Sequence, residues 1–68
     1  MSSLTAAVLT VSNSVAAGTV SDASGPVAVA ALEEIGFTVV EAAVVADGIE
    51  SVSGALVRLA EKARLIVT

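Results

Sequence analysis

The chain contains neither cysteine nor histidine. No disulfide framework can form, and metal sites built from nitrogen or sulfur are excluded. A Ser–His or Cys–His nucleophile pair cannot be assembled within it. Aromatic residues are almost missing: there is no Trp or Tyr, and the one phenylalanine is Phe37. Phe37 opens an apolar run and reads as core. Positive charge is scarce. Arg58, Lys62 and Arg64 are the only three basic residues, against seven acidic ones, for a formal net charge of -4. No basic face exists to hold a nucleic-acid backbone, so nucleic acid is not an expected partner. No apolar run approaches the roughly 20 residues that span a bilayer, so no membrane partner is expected either. Leu4 to Val11 could pass for the apolar core of a secretory leader, with Val15-Ala16-Ala17 as its cleavage site. No basic residue precedes Arg58, so the positive opening of a leader is missing. A cytoplasmic protein is the expectation.

What the chain does have is apolar residues, 56% of 68. That length makes at most one small domain, which would bury only about 60% of its unfolded surface. The apolar excess fits a parallel sheet covered on both faces, whose strands read as unbroken Val, Ile, Leu and Ala. Ala6 to Val11 reads as the first strand. Ser12 to Ser24 reads as a polar loop. Pro26 suits the first turn of a helix, where its missing N–H is harmless, and the helix runs to Ile35 with Gly36 as its stop. Phe37 to Val45 reads as a second strand, in which Glu41 argues for an edge or a strand end. Asp47 and Glu50 have the spacing of a capping box at the head of a second helix. That helix carries an apolar stripe at Ile49, Val52, Leu56, Leu59, Ala60 and Ala63. Leu65 to Thr68 begins a third strand. The order β-α-β-α-β implies parallel strands joined by helical crossovers.

The loop is the most informative feature. Thirteen residues are unusual where connections run to about 2–6, and this loop ends at a helix N-terminus. Such an end offers unpaired N–H groups and partial positive charge, which suit a phosphate. Ser24 and Gly25 are candidates to present hydroxyl and backbone donors there. Asp22 is a candidate to help place a metal-bound phosphate or a pterin. Ser24 or Asp22 as an ordinary N-cap is the competing reading, and the two roles are compatible. Asp47 follows the second strand and should share the same rim. It is a candidate to bind a divalent metal or to polarise an attacking group, with an N-cap as the competing reading. There is no G-x-G-x-x-G after a strand and no G-x-x-x-x-G-K-[ST]. Mg²⁺, which needs only one or two carboxylates plus substrate phosphate, remains open.

Val8-Leu9-Thr10-Val11-Ser12-Asn13-Ser14, a seven-residue spacer and Asp22-Ala23-Ser24-Gly25-Pro26 together resemble the opening of the molybdopterin-binding (MogA/MoaB-like) domain. That family includes bacterial molybdopterin adenylyltransferases and the gephyrin G domain. Val44-Val45-Ala46-Asp47 is similar to the family's V-P-D turn, and Leu65-Ile66-Val67-Thr68 to the strand leading into T-T-G-G-T-G. The resemblance implies a three-layer α/β/α domain with a mostly parallel sheet, usually assembled as a trimer. It implies adenylyl transfer to molybdopterin from ATP with Mg²⁺, ahead of molybdate insertion. It implies a catalytic role for Asp47, and a nucleotide or pterin wall formed by Ser12, Asn13, Asp22, Ser24, Gly25 and Thr68. Two positions depart from the pattern. Asn13 stands where the family usually has Asp, which removes a charge, and Ala46 replaces a proline.

Strands two and three on opposite sides of strand one would put the loops after strands one and three at a topological switch point, where open α/β sheets bind ligands. Residues 1–68 then read as the N-terminal part of a single domain, completed by further polypeptide or a complementary chain. An apolar strand such as Leu65-Ile66-Val67 is expected in a central position. A non-catalytic pterin-binding or assembly module of the same fold is the alternative function. A flavodoxin-like phosphate loop built on Ser12, Ser14 and Thr19 ranks last, because the chain lacks the aromatic side chains that stack on a flavin.

Overall fold

The computed structural model describes residues 4–68. Strands β1 (Thr5–Val11), β2 (Thr38–Val45) and β3 (Leu65–Val67) form one parallel sheet in the order β2-β1-β3. Helices α1 (Asn13–Ala16), α2 (Ser24–Glu34) and α3 (Ile49–Ala60) lie between them in the chain. The α/β class and the expected alternation of elements are observed.

β1 is the central strand. Ala6, Ala7, Val8 and Leu9 are at most 3% exposed, which is why this segment reads as an unbroken apolar run. Side chains alternate across a strand. Ala6 and Val8 therefore share one face, where Leu32, Ala28 and Val29 of α2 pack with Phe37. Ala7 and Leu9 share the other, under Ala55, Leu56 and Leu59 of α3. The two helices thus cover opposite faces.

β2 forms one edge of the sheet, as Glu41 suggested. The pairing with β1 slips between Ala6, which faces Val39, and Ala7, which faces Glu41. Val40 is the extra residue of this bulge, and the slip turns the following side chains over. Val39 consequently packs on the α2 side, while Ala43 and Val45 pack on the α3 side. Glu41 also reaches the α3 side, where Arg58 and Lys62 bond its carboxylate at 2.8 and 2.9 Å. The Lys62 and Arg58 hydrogen bonds hold the Glu41 carboxyl below its ordinary value.

α2 ends in a Schellman motif. Phe37 N–H donates to Leu32 O at 3.0 Å and Gly36 N–H to Glu33 O at 3.2 Å. Gly36 adopts φ +103°, a conformation that glycine enters without a Cβ clash. Phe37 and Leu32 belong to the same apolar cluster and complete the motif.

Three expectations need correction. The loop after β1 is not wholly irregular: Ser12 caps the one-turn helix α1, its extended backbone letting Oγ accept the Val15 N–H at 3.3 Å. Asp47 does not cap α3. Gly48 occupies the N-cap position and no side chain caps that end, so the Asp47–Glu50 capping box is not formed. The buried residues of α3 are Ala55 and Leu59, with Val52 and Leu56 half-buried, whereas Ile49 is 87% exposed and Ala60 is also exposed. Ile49 opens the helix, and a residue there sits beyond the patch of sheet that the next turns cover. β3 pairs with β1 alone among the described residues. No helix among these residues is long and apolar enough to cross a membrane.

Candidate functional site

The chain leaves β1 through α2 toward β2 on one side, then crosses by α3 to β3 on the other. β2 and β3 therefore flank β1 on opposite sides, a switch point where the carboxyl ends of the strands open a crevice. A cleft of about 280 Å³ lies there. Its walls are Thr10 and Val11 of β1, Ser24, Gly25 and Ala28 of α2, and Val67 and Thr68 at the end of β3. The sequence candidates Ser24, Gly25 and Thr68 are thus brought together.

Asp22 braces this cleft. Its Oδ1 accepts the Gly25 N–H at 3.0 Å and the Ser24 hydroxyl at 3.4 Å, and its Oδ2 accepts the Thr10 hydroxyl at 3.0 Å. Accepting from an N–H three residues on is the work of an N-cap side chain, although Ala23 occupies the formal cap position. The Gly25 N–H, seconded by the Thr10 and Ser24 hydroxyls, holds the Asp22 carboxyl below its ordinary value against some opposing desolvation. The donors of Ser24 and Gly25 that a phosphate was expected to meet are therefore engaged by Asp22. Gly25 is needed for space: a Cβ there would overlap Asp22 Oδ2 and stand 3.1 Å from Thr10 Oγ1. Asp22 also borders a second hollow, of about 430 Å³, between α2 and the outer part of β2.

Thr10 is the residue the sequence did not disclose. It sits in an apolar strand and reads as a tolerated β-former, yet it tethers the far end of the loop twelve residues away. Nothing in local spacing signals such a pairing.

Ser12, Asn13 and Asp47 form a neighbouring cluster at the carboxyl ends of β1 and β2. Ser12 N–H donates to Val45 O at 2.9 Å, and Asn13 Oδ1 accepts the Asp47 N–H, also at 2.9 Å. Ser12 and Ser14 hydroxyls lie 3.4 Å apart. Asp47 is exposed, its carboxylate makes no hydrogen bond among the described residues, and it lines neither hollow.

The rim offers oxygen donors and no basic side chain. Among the described residues no three acidic side chains cluster to hold a metal on their own. Oxygen donors with one unengaged carboxylate, at Asp47, suit a hard cation carried by substrate phosphates, since Mg²⁺ needs only one or two carboxylates from the protein. Residues 7–68 match the family described as "Probable molybdopterin binding domain". No curated protein and no solved structure matches the chain. Because the family match spans nearly the whole sequence and both strand-end clusters, the chain belongs to the molybdopterin-binding domain family of molybdenum cofactor biosynthesis.

Proposed function

We propose that the protein transfers an adenylyl group from ATP to molybdopterin, with the cleft between β1, α2 and β3 as the binding crevice. In that step an oxygen nucleophile of the pterin substrate forms a bond to the α-phosphorus of ATP, and the bond to pyrophosphate breaks. The carrying observation is the cleft itself. It lies at the switch point of a molybdopterin-family fold and is walled by Ser24, Gly25 and Thr68. Asp22 would keep that wall in shape. Asp47, with its unengaged carboxylate, would hold the Mg²⁺ that arrives with ATP, beside Ser12 and Asn13. The exposed apolar side chains Val27, Ile35 and Val57 and the edges of β2 and β3, unpaired among the described residues, support assembly with further polypeptide or further copies, a trimer by the family's habit.

The test supplies the intact protein with ATP, Mg²⁺ and molybdopterin and measures adenylylated pterin and pyrophosphate. Stoichiometric formation of both supports the reading. Asp47→Ala should abolish turnover and leave pterin binding intact; full turnover in that variant would remove Asp47 from the mechanism. A second reading, pterin binding without turnover, is favoured by Asn13, which leaves the β1–β2 rim one carboxylate short of the family pattern. Tight pterin binding with no adenylyl transfer would select it.

A further inference from the structure

The parallel ladder between β1 and β2 does not stop where the strands stop. Ser12 N–H donates to Val45 O at 2.9 Å. In a parallel ladder the next rung would carry the Asp47 N–H to the carbonyl of Ser12. That rung is not made: the chain has turned into α1, and Ser12 O accepts the Ala16 N–H at 3.0 Å instead. The Asn13 side chain supplies the missing acceptor: its Oδ1 stands in for a backbone carbonyl and receives the Asp47 N–H at 2.9 Å, across 34 residues of sequence.

We infer that Asn13 is the positioning residue for Asp47, carrying the sheet ladder one rung beyond the strands so that the Asp47 turn is fixed before substrate arrives. The inference rests on the proposed role of Asp47. The turn has little else to hold it in place. Asp47, Gly48 and Ile49 are exposed, and no side chain caps α3. The Ser51 hydroxyl bonds Ala46 O at 2.7 Å and Gly48 O at 3.2 Å, which ties the turn to its own helix and not to β1. Asn13 alone among these side chains links it to the neighbouring loop. A neutral amide does this without placing a second carboxylate beside Asp47.

Asn13→Ala and Asn13→Asp test this, the second because a carboxylate oxygen can still accept the N–H. Two readouts are used on the intact protein. Amide hydrogen exchange at Asp47 should be about fivefold or more faster in Asn13→Ala, the factor expected for one lost hydrogen bond, and close to the parent in Asn13→Asp. Adenylyl transfer in Asn13→Ala should lose about tenfold or more in kcat/KM for Mg·ATP, as expected for a displaced group that holds the metal, and Asn13→Asp should recover most of it. Amide spectra of β3 residues report that the variants are folded. Unchanged exchange at Asp47 in Asn13→Ala overturns the inference, as does equal turnover in all three proteins. If the parent protein does not adenylylate molybdopterin, the proposed function fails, and exchange at Asp47 still decides the positioning role.

Discussion

Replacing Gly25 by alanine should destabilise the protein, although the same change in an ordinary helix does the reverse. Gly25 has no positive φ, so alanine there would gain about 0.5–1 kcal/mol of helix preference. Against that stands overlap with Asp22 Oδ2, together with contacts of 3.1 Å to Asp22 Cγ and Thr10 Oγ1. Overpacking a buried site costs about 1–3 kcal/mol, which leaves a net loss of about 1 kcal/mol. Gly54 provides the internal control. It lies in α3, and a Cβ added there would meet nothing within 4 Å, so Gly54→Ala should stabilise by about 0.5–1 kcal/mol. Urea unfolding measures both as shifts in midpoint at constant slope. The Asp22 carboxyl provides a second readout. In the parent it titrates below 3.8, chiefly because it accepts the Gly25 N–H; in Gly25→Ala it should move back up as that bond is lost. A Gly25→Ala protein as stable as the parent, with Asp22 titrating unchanged, would refute the idea that Gly25 is there to admit Asp22.

Leu59 is fully buried against Ala7 and Leu9, so Leu59→Ala should cost about 2–5 kcal/mol. Ile49→Ala on the same helix, where the side chain is 87% exposed, should change stability by less than about 0.5 kcal/mol by the same urea assay. Acid should weaken the fold through two carboxyls. Asp22 and Glu41 both titrate below their ordinary values of 3.8 and 4.5. Their stabilisation is therefore complete above those values and is lost as pH falls through the lower folded values. Asp22→Asn and Glu41→Gln should each flatten the acid limb of a stability–pH curve, and a limb of unchanged steepness in both would remove these groups from the account. The Glu41 effect should shrink in high salt, because Arg58 and Lys62 meet it at an exposed site.

Much of this fold is legible because its signals are local. Pro26 and Gly36 bracket α2, and the unbroken Ala6–Leu9 run announces a strand covered on both sides. Glu41, out of place in a β-branched run, marks the edge. The misreadings occur where burial or pairing depends on distant parts of the chain, or where an element is too short or its entry too local in detail to leave a pattern. The 3.6-residue pattern of α3 includes Ile49 by spacing, yet burial depends on how far the sheet extends beneath the helix. Asp47 and Glu50 have the spacing of a capping box, but the chain enters α3 through Gly48. The single turn of α1 is too short to show a period, and only Ser12, as its cap, hints at it. Ser24, Gly25 and Thr68 were readable as strand-end residues. Thr10 was not, since its value lies in a bond to Asp22 across the loop.

The thirteen-residue connection after β1 is held at both of its ends by residues that also shape the rim. At its far end Thr10 and Gly25 clasp Asp22; at its near end Ser12 extends the ladder and Asn13 fixes the Asp47 turn. Polar groups that could be slack in solvent are instead committed to geometry, which is how a loop provides a preorganised site. The distribution of charge follows the same division. Arg64 N–H bonds Thr5 O at the amino end of β1, and Arg58 and Lys62 are tied to Glu41, level with Ala7. Arg58 and Lys62 are therefore held through Glu41, and the Arg64 backbone lies at the amino end of β1, while the cleft lies at the carboxyl ends with Asp22 at its side. No basic side chain lines that cleft, so a phosphate bound there would need its charge balanced from elsewhere. Under the proposed function, a divalent ion arriving with the phosphates would supply the compensating charge, and the unengaged carboxylate of Asp47 at the neighbouring strand end would be its ligand.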